Sequence, residues 1–482
     1  MRNSAALLLL VLWFAVIHTR ELHANGGAWP TGVPLTGNAA PSDKNRATTV
    51  AIEAEQLTID LHQEFAAVEV RYRMKNTGAK VTQDFFFPVE RWQAGGDSEI
   101  EEGKAPDLEG YSIKADNADL KWKTIDVPLP PKETEKETTA AETPTPETDV
   151  SDTESETAEE EETRIEPVRF PSDLPPPTKH WKKSEIPFAA NQARDIVIRY
   201  RVAYSGYTHA VSDDAHETDP MFIYSLSPAA TWQGAIGHGK IVVNVLHPRP
   251  EEVEIERPKD RFQKISDTRY EWEFRDLEPT LADDLRIIAR RGYNSYDARN
   301  YSSSEEENQP WRSYVIQGDR YFLDHADYDA VASSTLPPSG KKKYDAANLR
   351  SSEGDVAWVE GVEGDGVGES VTLTVTRPLP LDAILIKPGY VSSENPSLWA
   401  KNNRVAEVEV KLNDAHTFSA KIPDEKFEDA YPIVVRGYAE PVQTIKLTIK
   451  GVHRGTAARD TCISSIRLKA KLATKPKLQP AR

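Results

Sequence analysis

Strict alternation of apolar and polar residues is the feature that most limits what this chain can fold into. In AAVEVRYRMK, Val68, Val70, Tyr72 and Met74 fall on one side, with Glu69, Arg71, Arg73 and Lys75 on the other. Successive side chains of a β-strand point to opposite faces, so such a segment buries one face and wets the other. The pattern recurs in DIVIRYRVAY, where Ile196, Ile198, Tyr200, Val202 and Tyr204 alternate with Arg199, Arg201 and Ala203. KIVVNVL from Lys240, RYEWEF with Tyr270, Trp272 and Phe274 inward, and DLRIIAR from Asp284 continue it. Farther on, ESVTLTVT sets Val371, Leu373 and Val375 against Thr372, Thr374 and Thr376, and VQTIKLTIK sets Ile445, Leu447 and Ile449 against Thr444, Lys446, Thr448 and Lys450. Short strands separated by Gly, Pro, Asn and Asp clusters predict an all-β chain of antiparallel sandwiches.

With 482 residues there is room for two or three domains, each with its own core. An amino-terminal β-sandwich is expected over 45–293 and a second over 328–472. The polar stretch NSYDARNYSSSEEENQPWRSY suggests a linker over 294–327, and KAKLATKPKLQPAR runs into a basic tail, 473–482. At the start, Arg2 precedes an apolar run from Ala5 to Ile17, and cleavage after Ala24 suits the small-residue rule, so 1–24 reads as a secretory signal. No later run approaches the length a membrane span needs. The expected localisation is therefore secreted, in the periplasm or at the cell surface, with no membrane span in the mature chain.

The net charge of −18 is concentrated. Between Glu133 and Thr163, thirteen Asp and Glu stand against one lysine, Lys136, giving −13 + 1 = −12. Around it, 128–180 is rich in Glu, Thr and Pro and nearly free of large apolar residues, so it is expected to be a disordered acidic insertion, a tolerated loop in preference to a solvating spacer or a cation-attracting tether. With no compensating basic stripe elsewhere, nucleic-acid binding is not expected. A single cysteine, Cys462, rules out an intramolecular disulfide and fits a small buried residue better than a nucleophile.

Three motifs invite chemistry. GAIGHGK, Gly234 to Lys240, has P-loop spacing, but Ile241 replaces the hydroxyl residue that would hold magnesium and the glycines lead into a strand, so nucleotide binding is not expected. THAVSDDAHETDP gathers His209, Asp213, Asp214, His216, Glu217 and Asp219; their spacing matches no helical metal motif, which favours a solvated loop between strands. AWVEGVEGDGVGES, Ala357 to Ser370, holds four glycines and four acids, Glu360, Glu363, Asp365 and Glu369. It precedes a strand instead of opening a helix, so it is no dinucleotide loop. A calcium loop, with Asp365 and Glu369 as candidate ligands, stands against a plain sheet corner whose acids face water, and the latter is expected; no cofactor is needed.

Several separated motifs carry a family likeness. SSTLPPSGKKKYDAANLRSSEGDVAWVEGVEGDGVGESVTL, LIKPGYVSSENPSLWAKNNRVAEVEV and IKLTIKGVHRGTAARDTCISSIRL resemble, in order, the discoidin-like domain of bacterial secreted proteins known as the NADase-type glycan-binding domain. The residues that fit include Ser333, Thr335, Gly364, Gly366, Gly368, Gly389, Tyr390, Asn403, Arg404, Gly455, Asp460 and Cys462; RSSEGDV departs from the usual Asp-Gly pair, and AEPVQ from the usual Gln-centred strand. The resemblance implies a galactose-binding-like jelly roll, non-catalytic, that binds glycan or mediates protein association. Tyr390, Trp399, Asn403 and Arg404 supply the aromatic and hydrogen-bonding types a sugar site uses, and are the candidate ligand residues. They could equally fix loop geometry. IEAEQLTIDLHQEFAAVEVRYRMKNTGAKVTQDFFFP and YSLSPAATWQGAIGHGKIVV resemble an exported bacterial domain of unknown function, which implies a sandwich and no activity.

The expected function is glycan recognition or adhesion at the cell envelope, without catalysis. Two alternatives stay open: a periplasmic or surface scaffold that binds a protein partner through the jelly roll, and a hydrolase in the amino-terminal half that uses residues such as His209 and His216.

Overall fold

The structure, a computed structural model, describes residues 48–88, 108–126, 180–204, 208–212, 215–218, 220–290, 293–297, 312–351 and 355–477. The signal segment 1–24 and, save its last residue, the acidic insertion 128–180 lie outside the described residues.

The protein is all-β, with one short helix, Ser397–Lys401, and a few 3-10 turns among the described residues. In the amino-terminal sandwich, one sheet of eight strands runs in the order Gln263–Ser266, Arg269–Leu277, Ile236–Val245, Val50–Leu61, Phe65–Asn76, Ala193–Ala203, Glu109–Ala115 and Ala118–Asp119. Two three-stranded sheets complete this sandwich. One joins Met221–Tyr224, Leu285–Ile288 and Glu254–Arg257; the other joins Val81–Pro88, His180–Phe188 and Trp122–Asp126. The alternation sorts as its period demands: Val68, Val70, Tyr72 and Met74 are buried, as are Ile196, Ile198 and Tyr200, against Phe85, Phe87, Phe188, Tyr224 and Ile287 from the smaller sheets. In this sandwich one pair departs from the antiparallel expectation. Val50–Leu61 and Ile236–Val245 run parallel, because some 170 residues of chain cross between them and no hairpin constrains their sense.

GAIGHGK lies mainly in the strand Ile236–Val245. At Gly239 a β-carbon would sit 2.0 Å from the Phe274 ring, so the glycine makes room for an aromatic side chain.

The second sandwich grows from a sheet of thirteen strands. Its main member, Ser370–Pro388, pairs with Pro441–His453 along its first part and, after an irregular stretch, with Thr461–Leu472 and Tyr431–Val434. One strand thus serves both layers of the jelly roll. Trp358, Leu373, Ile384, Val410, Leu447 and Ile466 fill the space between them.

The described residues of the expected linker, 294–327, are largely strand. Tyr293–Asp297, Arg312–Gln317 and Arg320–His325 pair in turn, and the last pairs with Thr461–Leu472 of the jelly roll. After the polar run come two short alternating strands, Arg312–Gln317 and Arg320–His325, in which Val315 and Phe322 are buried. The acidic stretch expected to be a loop is likewise part of this sheet: Thr208–Ser212 and Ala215–Thr218 form a hairpin that pairs with Tyr293–Asp297. Backbone pairing with a neighbouring sheet outweighs the low strand propensity of such residues. Asp213, Asp214 and Asp219 lie outside the described residues.

Candidate functional site

Loops 360–369, 389–402 and 453–460 converge at one end of the jelly roll. Gly389 makes this approach possible: its φ of +84° suits glycine, and a β-carbon there would meet Arg404 Cγ and Trp399 Cδ1, each at 2.8 Å. Arg404, which is buried, donates from Nε and Nη2 to both carboxylate oxygens of Asp424 at 2.7 and 3.0 Å. Its Nη1 donates to the carbonyls of Trp399 and Asn402 at 3.1 and 2.9 Å, and the guanidinium lies 4.4 Å from the Trp399 ring. The Arg404 hydrogen bond, helped by its charge, holds the Asp424 carboxyl below the usual carboxylate range. Trp399 is half-buried, and its indole Nε1, wholly shielded, finds no acceptor among the described residues.

Asn403 is buried as well: its Nδ2 donates to the Arg459 carbonyl at 2.7 Å and to Asp365 Oδ1 at 3.3 Å, and its Oδ1 accepts from Gly455 N at 2.8 Å. Tyr390, 6 % exposed, donates its hydroxyl to the Asp355 carbonyl at 3.0 Å. Asp355 sits in the RSSEGDV departure at a φ of +75°. Its carboxylate accepts from Ser392 Oγ, from Ser393 Oγ at 2.8 Å and from Glu394 N at 3.2 Å; these bonds, the Ser392 one first, take its pKa down to about 2.

Of the four candidate ligand residues, the structure brings Trp399 and Arg404 together and ties Asn403 and Tyr390 into the loops around them. The polar groups of Tyr390, Asn403 and Arg404 are engaged internally. Buried hydrogen-bonding groups take partners wherever the fold supplies them, and here they brace the loops. Side chains partly open to solvent at this end include Trp399, Tyr344 and Leu398, beside the exposed Val362 and Val367, with Lys342 exposed 6.0 Å above the Tyr390 ring and Arg454 and Lys401 exposed nearby. Sequence reasoning missed Tyr344 and Asp424. KKKY gave a signal for the former, an aromatic behind three lysines, whereas Asp424 lies twenty residues from its partner with nothing to connect them.

The acids of AWVEGVEGDGVGES divide. Glu363 is exposed, but Glu360, expected to face water, is fully buried. Its carboxylate accepts from Thr461 N at 3.1 Å and Val362 N at 2.9 Å, joining the loop to the last strand. Period-two counting failed here because Glu360 follows the strand pair Trp358–Val359, where the chain turns. Asp365 pairs with Arg454 at 3.1 Å, and Glu369 accepts from Ser333 Oγ at 2.6 Å. Among the described residues, no group of three or more His, Cys, Asp or Glu could hold a metal. Cys462 is buried, and burial pushes its thiol up.

Elsewhere, a shallow depression of about 300 Å³ on the outer face of the eight-stranded sheet includes Thr58, Ala67, Arg199 and Arg201. Its Arg199 is paired with Glu69 at 2.5 Å. His209 and His216 belong to the two strands of one hairpin, where the register sets His209 opposite Glu217 and His216 opposite Ala210. No helix among the described residues is long and apolar enough to cross a membrane.

Two β-sandwiches in tandem, the second a discoidin-like jelly roll with braced loops at one end, define the class. The family enters through that second sandwich: residues 322–469 match the family model of the NAD glycohydrolase translocation F5/8 type C domain. No curated protein matches the chain. Among solved structures, it is similar to a family 32 carbohydrate-binding module from C. perfringens in complex with galactose, at 13 % identity and a TM-score of 0.23 over 30 % of this chain and 94 % of that one. It is also similar to an F5/8 type C domain from Bacteroides fragilis, at 13 % identity and a TM-score of 0.25 over 32 % and 98 %. A family 32 module of Streptococcus pneumoniae EndoD aligns at 13 % identity and a TM-score of 0.21 over 30 % and 97 %.

Proposed function

We propose that this is a secreted, non-catalytic glycan-recognition or adhesion protein of the bacterial cell envelope, with its ligand held at the loop end of the jelly roll. The observation that carries this reading is the setting of Trp399. A half-exposed aromatic ring is backed by a guanidinium that Asp424 and two carbonyls hold rigid, within a domain matched to the F5/8 type C family. A sugar ring presents an apolar face that stacks on an aromatic, and a ring fixed in advance loses little entropy when it is covered. Tyr344 offers a second aromatic surface, and Lys342, Lys401 and Arg454 offer donors at the rim.

The full chain on a glycan array tests this. Retention of a defined set of glycans is expected, and it should be lost in Tyr344→Ala or Trp399→Ala while far-UV dichroism stays native. Retention unchanged in both variants, or no glycan held at all, would overturn the reading. A stable envelope protein captured in place of glycan would favour the scaffold alternative. Turnover lost in a His209→Ala, His216→Ala double variant would favour the hydrolase.

A further inference from the structure

The two sandwiches meet across a seam in which charged side chains are buried. Arg249, 6 % exposed, precedes the turn Pro250–Glu252 of the amino-terminal sandwich and donates from Nη2 to Asp382 Oδ2 at 2.5 Å. Asp382, 5 % exposed, lies on the jelly-roll strand Ser370–Pro388. On its other side Lys469 Nζ lies 3.9 Å away, above the Phe322 ring at 4.2 Å. Glu252, also buried, faces Arg249 at 3.7 Å and Arg320 at 3.5 Å. Two groups of opposite sign from each side of the seam are thus enclosed together.

A second contact closes beside the first. The turn between Val50–Leu61 and Phe65–Asn76 reaches the jelly-roll loop that precedes Tyr431–Val434. There Gln63 Nε2 donates to the Ala430 carbonyl at 2.7 Å, and the Glu64 carboxylate accepts from the backbone N–H of Glu428 at 2.7 Å and of Asp429 at 3.2 Å. Arg467 in turn clasps Asp429 with two bonds, at 2.8 and 2.9 Å, so the loop that receives Glu64 is itself anchored to the last strand.

A buried ion pair adds little net stability over an apolar contact, because desolvation cancels most of its attraction. It does penalise misalignment: an apolar seam can slide by a few ångströms at small cost, whereas a slid ion pair leaves two buried charges unpaired. From this geometry we propose that Arg249 and Asp382 form an orientation lock that holds the amino-terminal sandwich and the jelly roll in one relative position, as a single cooperative unit. The family match begins at residue 322, yet the lock draws on residues far upstream of it.

The full chain tests the lock by scanning calorimetry together with small-angle scattering. Wild type is expected to unfold in one transition. Arg249→Met and Asp382→Asn each remove one partner and leave the other buried; each should split the transition in two or lower it by at least 5 °C, and widen the scattering profile. The double variant Arg249→Met, Asp382→Leu replaces the pair with apolar groups, and should recover a single transition nearer the wild-type midpoint than either single variant. Two transitions in wild type, or single variants that unfold and scatter as wild type does, would overturn the proposal. So would a double variant that loses as much as the two singles summed, since that marks independent sites.

Discussion

Arg404 grips Asp424 through both carboxylate oxygens while its guanidinium lies 4.4 Å from the Trp399 ring, so one side chain orients the rim aromatic and ties down the loop after His416–Lys421. Lysine cannot reproduce a two-point, planar contact. Arg404→Lys should therefore lower stability by about 1–3 kcal/mol, because the buried end of the network loses hydrogen bonds while the exposed Asp424 end is screened by water. Because the Asp424 carboxyl is held below its ordinary value, its contribution is present above about pH 4 and fades as pH falls through the lowered value. Melting temperatures of wild type and Asp424→Asn should converge toward pH 3, and curves that stay parallel from pH 7 to 3 would contradict this.

Gly239 leaves space for the Phe274 ring, with 2.0 Å to a built β-carbon. Gly239→Ala should cost about 1–3 kcal/mol through overpacking. Phe274→Leu added to it should restore part of the loss, although Phe274→Leu alone destabilises. Urea midpoints of the three variants measure the coupling; strict additivity would mean that the ring is not what the glycine accommodates.

Glu360 carries the corner on which loop 360–369 turns. Glu360→Ala strips the buried Thr461 N–H of its acceptor and should cost about 1–3 kcal/mol. Gly366, at a φ of +68°, would place a β-carbon 2.6 Å from Glu360 Cγ, so Gly366→Ala should be destabilising as well. Thermal melts in buffers with calcium or chelator should coincide for wild type, since the loop is held by its own hydrogen bonds; a calcium-dependent rise in the midpoint would restore the calcium reading.

Asp324 offers a pH test of opposite sign. Burial raises its carboxyl to about 6, against the pull of Arg467 at 3.1 Å, with Asp429 adding to the rise and Lys469 opposing it. A raised acid takes up a proton in the folded state before the unfolded one does, so its share of stability grows as pH falls from about 6 toward 3.8 and is lost as pH rises through 6. The melting temperature of wild type minus that of Asp324→Asn should become more positive from pH 7 to pH 4.5. A difference that does not change with pH would refute it.

Cys462 packs against Ala357, Val359 and Tyr390, and burial keeps its thiol protonated. A thiol-reactive chromophore should label native protein negligibly and unfolded protein to one equivalent. Fast labelling of the native chain would place Cys462 at a surface.

Alternation alone located seven of the strands, long ones among them, and their buried faces, as with Val68 to Met74 and Val371 to Val375, because period two is a local property of the backbone. Spaced motifs in the second half likewise carried the discoidin-like family, whose loops depend on particular glycines such as Gly389. Long-range pairing was a different matter. The strands within 293–325, the hairpin at 208–218 and the parallel match of Val50–Leu61 with Ile236–Val245 depend on neighbours distant in sequence, and edge partners can make strands of polar residues. The same holds at the candidate site. Residue types singled out Trp399, Arg404, Asn403 and Tyr390, but which of their polar atoms face a ligand and which brace a loop depends on acceptors such as Asp424 and the Arg459 carbonyl. Hydrogen bonding decides that, and only the folded chain brings those acceptors within 3 Å.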